Sequence, residues 1–247
     1  MAGVVNILVC DDNVTFTQHL VNFLLKNDEN IRICGIVYNA MEALNIVEQC
    51  NPDLIILDLK MPTMSGYDFL EKLNEIESFS GIVIIVTGIQ CNVTNLLKYE
   101  YVNDVIFKGI TYKEIMERIG AILIKKSQIH IKKRILSELV QFGFNKESKS
   151  TRCLLKAICI SIFDENDCRV MKNVFKQLEK EEQVQYRDIM SNIQKAIDLI
   201  WLNSNQEGIC KKFKITLDTK PTVKIVLYYF VDKYRSYLNS NNVSKQI

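Results

Sequence analysis

Asp53-Leu54-Ile55-Ile56-Leu57-Asp58-Leu59-Lys60-Met61-Pro62-Thr63-Met64-Ser65-Gly66 reads as a short apolar strand that ends on a carboxylate, followed by a loop and a helix start. The run is too short for a helix and too continuously apolar for a half-exposed strand, so it suits a strand buried on both faces. Similar runs flank it. Val4–Cys10 ends in Asp11-Asp12, Ile31–Val37 is a second, Gly81–Val86 ends in Thr87, and Asp104–Phe107 ends in Lys108. Helical patterns lie between and after them, at 14–26, 39–49, 66–76, 91–98 and 111–126. Strands alternating with helices predict a doubly wound, five-stranded parallel sheet.

In such a sheet, residues just past the C-terminal strand ends gather in one crevice. Asp11, Asp12, Asp58, Thr87 and Lys108 should therefore converge. Clustered carboxylates repel one another unless a hard cation sits among them, and a magnesium ion (Mg²⁺) suits an oxygen-rich, partly hydrated site. A carboxylate beside Mg²⁺, with an ammonium to balance new negative charge, is a site for accepting a phosphoryl group. Taken alone, Asp11-Asp12 would be read as an ordinary helix cap, with Asp12 or Asn13 as the capping residue.

These residues, with the stretch Asp58–Leu70, make segment 1–126 resemble a response-regulator receiver domain of flavodoxin-like fold. The resemblance implies that Asp58 accepts a phosphoryl group from a histidine kinase or a phosphotransfer protein. It implies that Asp12, Asp58 and the backbone carbonyl of Lys60 ligate Mg²⁺, that Asp11 acts through water, and that Thr87 and Lys108 contact the transferred group. Gly109 follows Lys108 where the family usually has proline, and Val105 stands where it often has an aromatic switch residue.

Segment 127–133 is basic and reads as a linker, 134–238 as an all-α domain, and 239–247 as a polar tail. Helices are expected at 131–142, 152–163, 170–182, 186–202, 206–212 and 222–238. Leu136-Ser-Glu-Leu-Val-Gln-Phe-Gly143, Ala196-Ile197-Asp198-Leu-Ile-Trp201, Phe213-Lys-Ile-Thr216 and Lys220-Pro221-Thr222 make this half resemble the DNA-binding domain of the sporulation master regulator of endospore-forming bacteria. That resemblance implies a helix-turn-helix, with Gln185, Tyr186, Arg187, Ser191, Gln194 and Lys195 facing a DNA groove, and transcription control by a homodimer. Asp188, Ser191 and Gln194 occupy positions where the family pattern has arginines. The alternative is a phospho-responsive protein-interaction regulator whose effector half has lost or changed DNA binding.

Charge divides along the chain. Residues 1–126 hold 10 Lys+Arg against 16 Asp+Glu, a net −6, and residues 127–247 hold 21 against 13, a net +8. A basic second half suits a nucleic-acid partner, although a solvated helical domain would show the same excess. Eight cysteines without a CxxC pair read as reduced core thiols, and His19 and His130 lack metal-ligand spacing. No apolar run spans a bilayer and no secretory signal is evident, so a cytoplasmic protein without membrane contact is expected. Lys60 stands where an aspartyl phosphatase of the dehalogenase type wants its second Asp. The expectation is therefore a signalling protein and not an enzyme, one that only accepts and slowly loses its own phosphoryl group.

Overall fold

The computed structural model describes residues 4–163 and 171–240. The chain divides into two compact units, one ending at Leu123 and one beginning at Ile124.

In the first unit, strands β1 (Val5–Cys10), β2 (Ile31–Val37), β3 (Leu54–Leu57), β4 (Ile82–Thr87) and β5 (Val102–Phe107) form one sheet in the order β2-β1-β3-β4-β5. All four pairings are parallel, the flavodoxin-like arrangement. Every residue of β3 and β4 is buried, as their unbroken apolar runs require. Helices α1 (Val14–Asn27), α2 (Ala40–Cys50), α3 (Gly66–Leu73) and α4 (Val93–Leu96) connect them. Two apolar clusters result. One packs Leu20, Leu24, Ile115 and Ile119 with the sheet, and the other packs Ala43, Val47, Phe69 and Leu70 with it.

The helix starts follow local chemistry. Asn13 caps α1 by accepting from the Phe16 N–H, and Asn39 caps α2 by accepting from the Glu42 N–H. Ser65 and Asp68 form a reciprocal capping box at α3. Helix α4 is shorter than its sequence pattern, starting after its cap Asn92 and ending at Leu96, and β5 begins at Val102 instead of Asp104.

Helix α5 (Tyr112–Gln141) corrects the sequence reading most. The expected linker at 127–133 and the expected new helix at 131–142, except Phe142, are both part of it. No Gly or Pro interrupts this stretch, and Ile131, Ile135 and Leu139 continue the apolar spacing into the helical core. The division between the units falls within α5. The helix stops before Gly143, whose φ of +98° is open to glycine at no steric cost.

The second unit continues with α6 (Lys149–Phe163), α7 (Met171–Glu182), α8 (Tyr186–Asn203), α9 (Gln206–Phe213) and α10 (Val223–Ser240). Its core gathers Leu154, Ile158, Phe175, Ile193, Phe230 and Tyr234 around α6. The expected start of α7 at Val170, Cys168, and most of the expected 239–247 tail lie outside the described residues. Three residues join α7 to α8, and Gln183 turns the corner with φ +53°. Among the described residues no helix is long and apolar enough to cross a membrane.

Candidate functional site

The C-terminal ends of β1, β3 and β5 bring three carboxylates and one ammonium together. Asp58 follows β3, and its N–H donates to the Cys10 carbonyl at 2.9 Å, fixing it beside β1. Asp11 follows β1; its N–H donates to Val37 O at 3.1 Å and its Oδ1 accepts from the Asn13 N–H at 2.9 Å. Carboxylate oxygens of Asp11, Asp12 and Asp58 lie within 4.8 Å of one another. Lys108 Nζ bridges Asp58 Oδ2 at 2.7 Å and Asp11 Oδ2 at 2.8 Å. Asp11 and Asp58 are buried, whereas Asp12 faces solvent.

The loop after β3 is held close. The Lys60 N–H donates to Asp58 Oδ1 at 3.3 Å, and the Gly66 N–H donates to Leu59 O at 2.9 Å. A Cβ at position 66 would lie 2.4 Å from the Asp58 carbonyl oxygen, so the loop closes this tightly only over glycine. Thr87 is fully buried at the end of β4. Its carbonyl accepts from the Lys108 N–H at 2.7 Å, and its hydroxyl accepts from the Ile89 N–H at 3.4 Å. Gly109 takes a φ of +119° where the chain leaves Lys108.

Electrostatics follow from burial. Burial pushes the Asp11 carboxyl above its usual range, against the pull of Lys108 and the Asn13 N–H. Burial also works against the Lys108 charge, but the hydrogen bonds to Asp11 and Asp58 outweigh it and hold the ammonium above the ordinary lysine range. Three carboxylates against one ammonium leave a formal deficit that one divalent cation would cancel. Hard oxygen donors with one solvent-facing member suit Mg²⁺, which keeps part of its water shell.

Phe16 is a participant the sequence did not reveal. Lys108 Nζ lies 4.9 Å from its ring centroid, so one side of the ammonium is covered by an aromatic face. Its place one turn into α1, just after the acidic pair, was the available signal. Beneath the site, Cys10 Sγ packs against Met61 Sδ at 3.4 Å, and burial drives its thiol far above the ordinary range.

The residues expected to face DNA divide into two groups. Gln185, Arg187, Ser191 and Lys195 are exposed on α8. Tyr186 and Gln194 are not free for a groove, which corrects the sequence reading. Tyr186 is half-buried, with its ring edge-on to Phe175 at 5.9 Å. Gln194 Nε2 donates to Pro221 O at 3.1 Å and to Asp198 Oδ1 at 2.9 Å, while its Oε1 accepts from the Val223 N–H at 3.1 Å. It fastens α8 to the start of α10. The acidic residues nearby are also engaged. Glu179 accepts from the Tyr186 N–H at 3.1 Å, and Glu182 pairs with Lys156.

Residues 7–120 match the family model of the response regulator receiver domain. The N-terminal unit is a receiver domain. Its curated relatives include a protein-glutamate methylesterase/protein-glutamine glutaminase of Agrobacterium fabrum, 37% identical over 84 residues, which are 34% of this chain and 24% of that protein. A second such protein, from Methanospirillum hungatei, is 35% identical over 81 residues, 33% of this chain and 23% of its own length. The chain thus matches about a quarter of the length of these relatives. Among solved structures, the signal receiver domain of a putative Luxo repressor protein from Vibrio parahaemolyticus is 25% identical with a TM-score of 0.44, covering 51% of this chain and 93% of its own. The response regulator domain of Thermotoga maritima CheB is 22% identical with a TM-score of 0.41, covering 47% and 93%.

These relatives overturn the expectation that the chain is not an enzyme. Proteins carrying a similar receiver are themselves named as enzymes, so a receiver of this kind is compatible with an enzymatic effector half. The family match ends at residue 120 and does not extend into the helical unit.

Proposed function

We propose that this protein is a response regulator whose receiver accepts a phosphoryl group on Asp58 and whose helical half acts on DNA under that control. The observation that carries the reading is the bridge from Lys108 Nζ to both Asp58 and Asp11, with Asp12 in the same oxygen cluster. A phosphoryl acceptor needs positioning and charge neutralisation more than covalent assistance. The donor is the phosphohistidine of a histidine kinase or a phosphotransfer protein. An Asp58 carboxylate oxygen attacks phosphorus, the P–N bond breaks, and histidine departs with that electron pair. Asp11, Asp12 and Asp58 would hold Mg²⁺, which supplies charge neutralisation for the incoming phosphoryl oxygens. Lys108 stays within reach of the new charge, and Thr87 stands at the neighbouring strand end.

For the helical half, the three-residue turn between α7 and α8 supports a helix-turn-helix. Arg187, Ser191 and Lys195 share one exposed face of α8 at helical spacing, and Gln185 stands at its start. Control of transcription by a phosphorylation-strengthened homodimer, in a sporulation-like programme, completes this reading. The test is selection of genomic fragments by the full chain with and without a small phosphodonor. Sequence-selective enrichment that rises on phosphorylation is expected; no enrichment in either state, with Asp58 phosphorylated, sinks it.

A second reading gives the helical half a protein target. Two observations favour it. Glu179 already occupies the first turn of α8, where a phosphate would be received, and the curated relatives are named for action on protein glutamate and glutamine. Methanol release from methylated protein glutamate, or ammonia release from protein glutamine, would decide for it.

A further inference from the structure

The helical unit holds a basic, aromatic-lined groove along α10, and no residue of α8 lines it. Two adjoining concavities of about 360 and 530 Å³ share Tyr229 and Lys233. These volumes fall within the roughly 300–1,000 Å³ of small-molecule sites. Arg134 and Lys212 border the first, Lys214 and Lys224 the second. Among the described residues none of these four cations has a carboxylate within ion-pair distance, whereas Lys233, which both concavities share, pairs with Glu138, and Lys156 and Lys220 elsewhere in the unit are also paired. Three of the four lie by rings instead: Lys212 Nζ is 4.6 Å from the Phe142 centroid, Lys224 Nζ is 5.8 Å from that of Tyr228, and the Arg134 guanidinium is 4.7 Å from that of Tyr237. Lys214 closes α9 with φ +55°, a left-handed position that glycine usually fills. A lysine is therefore held at a backbone position that disfavours side chains, at the mouth of the groove.

Two carboxylates complete the lining. Glu138 accepts from Lys233 Nζ at 2.7 Å and from the Tyr234 hydroxyl at 2.8 Å, while Asp232 is exposed. Acidic groups are poor neighbours for a continuous phosphate backbone. They suit a compact ligand whose phosphates cluster at one end and whose other end offers O–H and N–H donors. Half-buried Phe213, Tyr228 and Tyr229 offer aromatic surface to a planar ring.

We propose that this groove is a site for a nucleoside polyphosphate, with its phosphates among Lys212, Lys214 and Lys224 and its base against the tyrosine-lined wall. The site is built from the helical unit alone and does not depend on the reading of the receiver or of α8.

The test is equilibrium titration of the full chain with ATP and with GTP in EDTA, which keeps divalent cations out of the acidic site. Inorganic triphosphate and a duplex DNA serve as comparison ligands. Saturable one-to-one binding of at least one nucleotide is expected, with inorganic triphosphate about tenfold weaker because it lacks the ring. Lys214→Ala combined with Lys224→Ala should weaken the nucleotide about tenfold or more, with far-UV circular dichroism unchanged. Absence of saturable nucleotide binding overturns the proposal. So does equal binding of inorganic triphosphate, or nucleotide affinity unaltered in the double variant. Duplex DNA that outcompetes the nucleotide and loses affinity in the same variant makes the groove a nucleic-acid surface, which also overturns it.

Discussion

The two units keep their chemistry in opposite places. In the receiver, Asp11, Asp58 and Thr87 are buried at the strand ends, and their positions are fixed by the same backbone hydrogen bonds that build the sheet. In the helical unit, the buried polar side chains Thr151 and Ser161 serve the helices themselves: Thr151 bonds the Ser148 hydroxyl at the start of α6, and Ser161 bonds the Ala157 carbonyl. Its cations stand on the surface. A site made of buried charge can exist only if the fold neutralises it, whereas surface charge is tolerated almost anywhere. The first kind of site is therefore dictated by the fold, and the second has to be found by its unpaired groups.

The largest effect that would break this contrast concerns Asp58. Asp58→Asn should abolish incorporation of phosphate from a small phosphodonor in Mg²⁺, read by intact mass and by mapping of the modified peptide. The amide keeps the shape of the site and removes the nucleophile. Undiminished incorporation at another residue would mean that the buried cluster is structural and the chemistry lies elsewhere.

The core of the helical unit gives the next effect. Phe175 is fully buried beneath α8, with Tyr186 against its ring. Phe175→Ala should cost about 3–5 kcal/mol. The chain has a single tryptophan, Trp201 on α8, so its fluorescence during urea unfolding reports this unit specifically. An unchanged midpoint would show that the helical half is held by its surface ion pairs and not by its core.

Lys108 tests the buried charge directly. Lys108→Met leaves Asp11 and Asp58 facing each other without the bridging ammonium. Breaking a buried pair is costly, and with its side chain 21% exposed a loss of about 1–3 kcal/mol is expected in EDTA. Saturating Mg²⁺ should recover most of that loss and should stabilise this variant more than the unaltered chain, because a divalent cation replaces the missing charge. Equal stabilisation of both by Mg²⁺ would argue that the ion does not sit among these carboxylates.

How much could be read in advance follows the same division. The strand runs ending in Asp11-Asp12, Asp58, Thr87 and Lys108 were legible because strands buried on both faces must be continuously apolar, and parallel connections bring their C-terminal ends together. Gly66 stood in the quoted stretch, but its reason, the approach to the Asp58 carbonyl, is a three-dimensional fact. The run of α5 through 127–133 was not legible as one helix. Between Gly120 and the end of the helix no Gly or Pro marks where its packing partner changes from the sheet, at Ile115 and Ile119, to the helical core, at Ile131 and Ile135. The tyrosines of α10 carried no mark of their separate fates either: Tyr234 is buried, Tyr228 and Tyr229 are half-buried, and Tyr237 is exposed.

Gln194 gives the smallest effect and the sharpest separation. Its spacing along α8 placed it with the residues expected to read DNA, but Pro221 and Val223, 27 and 29 residues away, turn its amide inward. Gln194→Ala should therefore lower the unfolding free energy read by Trp201 by about 1–2 kcal/mol, and the urea midpoint with it, since the Val223 N–H and the Pro221 carbonyl lose their partner. Any DNA complex measured well below that midpoint should be nearly unaffected. Arg187→Ala with Lys195→Ala should behave in the opposite way, changing stability by less than about 0.5 kcal/mol and weakening DNA binding with a shallower salt dependence. If Gln194→Ala instead weakens DNA binding at constant stability, its hydrogen bonds to the start of α10 open when DNA is present, and the surface of α8 is assembled by its target instead of by the fold.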